Sequence, residues 1–212
     1  ESLLNEAAIC AMRDGRESIT QMDLSDAIEK IMLGEKSNRS LSKDERERVA
    51  FHEVGHALVG ELVRPGSVAS ITIVSRNQAL GYIRQTPRDD QYLHTKDQLL
   101  AAIQVCVAGA VMEEIIFGQR STGAVNDIEQ ATDLAKRMVF AGLSPLGIVS
   151  SDLPTEALHN TVVQIIKEQE EQVKKVLEAR LDEVSHIAGH LLKEEIMDGD
   201  EFRAALNGKK VS

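Results

Sequence analysis

The run His52-Glu53-Val54-Gly55-His56 sets two imidazoles four residues apart with a carboxylate beside the first. No other stretch constrains the chain as tightly. On a helix, side chains at i and i+4 share one face about a turn apart. That separation suits two corners of a tetrahedral zinc site, each nitrogen about 2.0–2.1 Å from the ion. Glu53 leans to the side of such an ion, where it can take a proton from the attacking water and pass it to the leaving amine. Zinc lowers the pKa of its water to about 7, so hydroxide is available at neutral pH. Ala50, Phe51, Val54, Ala57, Leu58 and Val59 make the helix largely apolar, so its polar residues should be buried and need partners.

A catalytic zinc takes a third protein ligand, and no histidine follows His56 at short spacing. Glu113 and Glu114 stand in an otherwise apolar helix, where a carboxylate is costly unless it meets a metal or a cation. Asp127 follows a loop at the start of a helix, a place where the helix dipole alone favours an acid. Residue chemistry leaves all three open. His186 and His190 repeat the four-residue spacing, but no Glu follows His186. That pair reads as an exposed helix face.

The coarse pattern is mainly α with a small β-hairpin. Residues 2–13 read as a helix ended by Gly15. Thr20 with Asp23 resembles a capping box opening a second helix, which Gly34 stops. Residues 35–42 have the composition of a linker and mark a domain boundary. A third helix runs from near Ser42 to about Leu62, and Pro65-Gly66 ends it. Alternation over residues 69–74 predicts a strand; a turn at 76–78 and a second strand at 80–86, broken by Pro87, complete a hairpin. Helical periodicity returns over 95–117 and 126–140, and over 161–192 as one long helix or a pair.

Composition narrows the partners. A net charge of -10 and only 3% aromatic residues, with no Trp, disfavour nucleic acid and anionic lipid surfaces. Cys106, inside the apolar run 103–107, reads as a buried thiol of a reducing compartment, not half of a disulfide. No signal peptide opens the chain, and no run of about 18 apolar residues is seen. The longest candidate, 99–117, is interrupted by Gln104, Glu113 and Glu114 and reads as a buried helix. The chain opens in mid-helical pattern without an initiator Met, and reads as a soluble piece of a longer protein.

Taken together, the motifs resemble the FtsH family of membrane-anchored AAA+ zinc proteases over nearly the whole chain. Leu4-Asn5-Glu6-Ala7-Ala8 and the stretch from Ile19-Thr20 to Gly34 are similar to the helical lid of that family's ATPase. The run from Ala50 to Ala57 is similar to its zinc helix, and Ile71-Thr72-Ile73 with Ala79-Leu80-Gly81-Tyr82 to its strands. Glu113-Glu114-Ile115-Ile116-Phe117-Gly118, Ser121-Thr122-Gly123-Ala124, Asn126-Asp127 and Ala131-Thr132 complete the set. The resemblance implies a lid remnant over 1–36 and a helical zinc-peptidase domain over 37–212. It implies His52, His56 and Asp127 as zinc ligands and Glu53 as catalytic base, with Glu113 and Glu114 either structural or supporting a ligand His. It further implies an edge strand at Leu80, Gly81, Tyr82 and Ile83 that pairs with substrate backbone. Substrates would be unfolded polypeptides or membrane proteins. The whole protein would be a homo-hexamer, membrane-anchored with this domain on the cytoplasmic, stromal or matrix side.

Three features depart from the family pattern. Ala108-Gly109-Ala110 stands where the family has Gly-Gly-Arg, and the connection over 147–161 is short. No phosphate-cradling Gly-Lys-Ser/Thr loop is present, so ATP would belong to a module outside this chain. The joint presence of His52, Glu53, His56 and Asp127 favours a working peptidase over a binding relative that has lost catalysis. The edge strand and lid favour polypeptides over small amides.

Overall fold

Among the described residues, side-chain caps mark where four of the α-helices begin. A computed structural model describes residues 2–34, 41–75, 80–85, 93–150 and 153–208. The chain divides into two compact units, Glu1–Ser40 with Val74–Gly81, and Leu41–Ile73 with Tyr82–Ser212.

In the first unit, α1 (Ser2–Arg13) and α2 (Gln21–Leu33) pack through small residues, with Ala7, Cys10, Ala11 and Ala27 buried. The capping box at Thr20 and Asp23 forms as the sequence suggests: each side chain takes the other's backbone N–H. Lys30 meets Glu6 at 2.6 Å across the pair.

The second unit is built on α3 (Lys43–Val63), which starts at a Ser42–Glu45 capping box. Most of α3 beyond Val49 is buried. Its last turn is closed by Glu61, whose carboxylate accepts from the backbone N–H of Gly66 at 2.6 Å and of Val68 at 3.3 Å. Then come β1 (Val68–Thr72), β2 (Tyr82–Gln85) and α4 (Lys96–Phe117), capped by Thr95 with Gln98. A 3-10 turn, Thr122–Ala124, leads into α5 (Val125–Phe140). The remainder is α6 (Thr155–Glu178), α7 (Leu181–Glu194), β3 (Ile196–Asp198) and α8 (Gly199–Leu206). Helix α4 is the hub, packed against α3, α5 and α6, while α7 lies on α3. Leu58, Ile103, Met112, Met138, Leu177, Ile187 and Leu191 are among its fully buried core.

The mainly helical reading holds, and the hairpin is real: β1 pairs antiparallel with β2, Ile71 opposite Ile83 and Thr72 opposite Tyr82. The sheet has a third strand that the pattern did not suggest. The strand order is β2-β1-β3, so β1 is central and β2 is an edge. With α3 and α8 also against β1, Ser70 and Thr72 are buried along with Ile71. Burial on both faces is why the polar half of the alternation does not point to water.

The stretch expected as one long helix or a pair is a pair, broken at Ala179 and Arg180, and α6 begins at Thr155, earlier than expected. By length and composition alone α4 would suffice to cross a membrane. Half of its most apolar window is buried inside the protein, as befits a core helix. The two cysteines are free; Cys10 is the buried one and Cys106 is half-buried. The expected turn at 76–78, the end of the second strand at Thr86 and Pro87, and most of the 35–42 linker lie outside the described residues.

Candidate metal centre

Two stripes of residues, each stepping by four, face one another where α3 crosses α4. Arg48, His52 and His56 lie on α3, and Val105, Gly109 and Glu113 lie on α4. The pairings run in opposite senses: Arg48 and His52 meet Glu113, and His56 meets Val105. The helices are therefore antiparallel, and glycines let them approach. A Cβ on Gly55 would lie 2.8 Å from Met112 Cβ and 2.9 Å from the Ala108 carbonyl. A Cβ on Gly109 would lie 2.5 Å from Nε2 of both His52 and His56. The missing methyl of Gly109 is thus what leaves room between the two imidazoles and α4.

Asp127 comes to the same point from the first turn of α5, where a carboxylate also suits the helix dipole. His52 Nε2 and His56 Nε2 are 3.0 Å apart. Asp127 Oδ2 is 3.2 Å from the first and 3.4 Å from the second. Ligands about 2.0–2.1 Å from a tetrahedral zinc are separated by about 3.3 Å, so the three atoms have the spacing of one triangular face of such a site.

The hydrogen-bond partners assign the tautomers. His52 Nδ1–H donates to Glu113 Oε1 at 2.7 Å, and His56 Nδ1–H donates to the Val105 carbonyl at 2.6 Å. Both Nε2 atoms are then left with lone pairs, aimed at each other and at a carboxylate oxygen. Three acceptors converging in a buried place repel unless a cation sits among them. Burial opposes a proton on His52, but hydrogen bonds to Asp127 and Glu113 outweigh it and raise its pKa to about 10. Burial would raise the Asp127 carboxyl, but bonds to His52 and His56 hold it well below the usual range. A proton is the smallest cation that meets this demand, and the donor set of two imidazoles and a carboxylate fits zinc.

Glu53, 7% exposed, has its pKa raised by burial, partly opposed by the neighbouring His56 and His52. A carboxylate in that state is a stronger base than an exposed one. Behind His52, Glu113 is 1% exposed. Burial would raise its pKa, but bonds to His52, Ser121 and Arg48 hold it down at about 2.

Of the three candidate third ligands, the structure brings Asp127 to the imidazoles and sets Glu113 behind one of them. Glu114 is instead bound to Arg120 at 2.7 Å and Lys174 at 3.8 Å, and Arg120 also meets Glu170 of α6. Among the described residues, His52, His56 and Asp127 form the one group of metal-ligating side chains, and His186 and His190 are not part of it. Of the expected substrate strand, Tyr82 and Ile83 lie in β2, while Leu80 and Gly81 form the bend before it. Sequence reasoning passed over Arg48, Val105 and the role of Gly109. The available signal was the spacing of four from Arg48 to His52 and from Gly109 to Glu113.

The family model described as Peptidase family M41 matches residues 39–157. The ATP-dependent zinc metalloprotease FtsH 3 of Petrotoga mobilis is 38% identical over 231 residues, covering 97% of this chain and 36% of its own length. The ATP-dependent zinc metalloprotease FtsH of Bacillus subtilis is 37% identical, covering 96% of this chain and 36% of its own length. That of Syntrophus aciditrophicus is 39% identical, covering 95% of this chain and 31% of its own length. The chain spans about a third of the length of the curated relatives it matches.

Proposed function

From the premise that the chain belongs to peptidase family M41, we infer that it is a zinc metalloendopeptidase, the proteolytic portion of an ATP-dependent protease. The observation that carries this reading is the convergence of His52 Nε2, His56 Nε2 and Asp127 Oδ2 within 3.0–3.4 Å of one another, beside a buried Glu53. His52, His56 and Asp127 would hold the zinc. When bound, zinc supplies a Lewis acid that acidifies water and polarises the scissile carbonyl.

The chain's own residues do the rest. The Glu53 carboxylate accepts the proton of the attacking water and delivers it to the leaving amide nitrogen. Its raised pKa suits both halves of that transfer. Glu113 and the Val105 carbonyl fix the two imidazoles with Nε2 outward. The edge strand β2 presents Tyr82 and Ile83, preceded by Leu80 and Gly81, as a segment along which an extended substrate adds a strand. Such pairing reads backbone, so substrates would be unfolded polypeptides or membrane proteins.

Residues 1–36 would be the lid remnant of the ATPase and residues 37–212 the peptidase domain. The names of the relatives support ATP as the energy source. We place ATP binding in a module outside this chain, in a membrane-anchored homo-hexamer with this domain on the cytoplasmic, stromal or matrix side. The test is zinc content with cleavage of unfolded casein, for wild type, Glu53→Gln and Asp127→Ala. The reading expects about one zinc per wild-type chain, zinc without cleavage in Glu53→Gln, and zinc lost in Asp127→Ala. Full zinc in Asp127→Ala would overturn the ligand set, and full cleavage by Glu53→Gln the mechanism.

A further inference from the structure

Arg48 stands one helical turn before His52 on the same face of α3, and its side chain is 23% exposed. Its Nη1 group donates to Glu113 Oε2 at 2.9 Å and to the Gln119 carbonyl at 2.8 Å. The guanidinium lies 4.4 Å from the centre of the Phe117 ring, which in turn stands edge-on to Phe51 at 5.8 Å. Three independent contacts therefore fix one planar group. The Glu113 carboxylate is shared: Oε2 takes Arg48 and Oε1 takes His52 Nδ1–H. With Oε2 held by Arg48 and Ser121 also bonded to the carboxylate, Oε1 stays aimed at the imidazole. The Gln119 contact secures a second path, because residue 119 opens the short segment that leads through the 3-10 turn to Asp127.

We propose that Arg48 is a positioning residue of the metal centre, bracing His52 through Glu113 and the Asp127 segment through the Gln119 carbonyl. It touches neither substrate nor metal ligand itself. The inference rests on the zinc reading of the site and deepens it: the metal face is held by a chain running Arg48, Glu113, His52, with both ends anchored.

Zinc affinity, read by competition with a chromophoric chelator, tests this without recourse to activity. Arg48→Met keeps the apolar stem over Phe117 and removes the donors. It should weaken zinc binding about tenfold, the lower end for loss of a residue behind a ligand. Glu113→Gln alone should weaken it about 10–100-fold. In the Glu113→Gln background, adding Arg48→Met should change affinity by less than about threefold, since residues acting in series are not additive. Arg48→Lys, which retains charge but not the planar fork, should fall between wild type and Arg48→Met. Melting of each metal-free variant in excess EDTA shows whether it is folded.

Unchanged zinc affinity in a folded Arg48→Met would overturn the proposal. So would a full tenfold effect persisting in the Glu113→Gln background, because Arg48 would then act through packing on Phe117. Wild type that binds no zinc would instead sink the metal reading on which the proposal rests.

Discussion

Adding one methyl at Gly109 should separate metal binding from folding. A Cβ there lies 2.5 Å from Nε2 of His52 and of His56, and 2.6 Å from His52 Cε1. A zinc ion held by the same nitrogens would need about 2.0–2.1 Å to each, so methyl and ion would compete for one space. Relief by withdrawing α4 would require about 1 Å of movement, to restore ordinary contact near 3.5 Å. That movement breaks the 2.7 Å Glu113–His52 and 2.6 Å Val105–His56 bonds. Relief by turning an imidazole aside loses a ligand. Zinc folding energies of about 10–16 kcal/mol spread over four ligands give about 3 kcal/mol per ligand, a hundredfold or more in affinity. The fold itself should feel far less. Overpacking costs about 1–3 kcal/mol, while Gly→Ala within a helix returns about 0.5–1 kcal/mol. A net cost of about 0–2.5 kcal/mol lowers the melting temperature of a chain this size by less than about 10 °C. Competitive zinc titration of Gly109→Ala beside its circular-dichroism melt in EDTA measures both quantities. Wild-type zinc affinity in Gly109→Ala would refute the placement of the metal between these imidazoles and α4.

The other close approaches make different predictions. Gly55→Ala, with its Cβ 2.8 Å from Met112 Cβ and 2.9 Å from the Ala108 carbonyl, should destabilise the metal-free protein by about 1–3 kcal/mol; an unchanged melt would mean the crossing is loose. Gly199→Ala, its Cβ 2.1 Å from the Val68 carbonyl, should lower the melting temperature by loosening α8 from β1, yet leave the zinc affinity of the folded protein at the wild-type value. Loss of affinity there would show that the sheet supports the site.

Titration gives two windows. In the metal-free protein His52 is raised from 6.5 to about 10, so its stabilising protonation is complete below pH 6.5 and lost as pH rises to about 10. Zinc displaces that proton, so zinc affinity should rise by about tenfold per pH unit across the same window. Glu113, lowered from 4.5 to about 2, contributes stability present above pH 4.5 and lost as pH falls to about 2. A zinc affinity flat between pH 7 and 9 would refute the proton displacement.

The spacing of His52 and His56 was legible because it needs only local helical geometry, and so were the cap at Thr20 and the helix start near Ser42. Glu113 was legible as an anomaly: a carboxylate in an apolar helix needs a partner, and it has two, His52 and Arg48. Its partners were not legible, because the contacting residues of α3 and α4 are 49 to 65 positions apart in sequence and their register depends on how Gly55 and Gly109 let the helices close. Strand β3 and α8 escaped notice for a similar reason. Three residues, Ile196 to Asp198, carry too little alternation to show as a strand until β1 pairs with them.

The sequence by itself made most of the helices legible, and the His52–His56 pair with Glu53 beside it, since each rests on spacing within a few turns. Residue chemistry left Glu113, Glu114 and Asp127 open and the family resemblance implied Asp127; the tertiary structure shows where each carboxylate goes. All three carry the same charge, and what separates them is where their helices lie. Asp127 reaches the imidazole nitrogens from the first turn of α5, Glu113 stands behind His52, and Glu114 turns toward Arg120 and Lys174. Ligand geometry is a matter of a few tenths of an ångström between atoms from different elements, and that distance is set by helix packing.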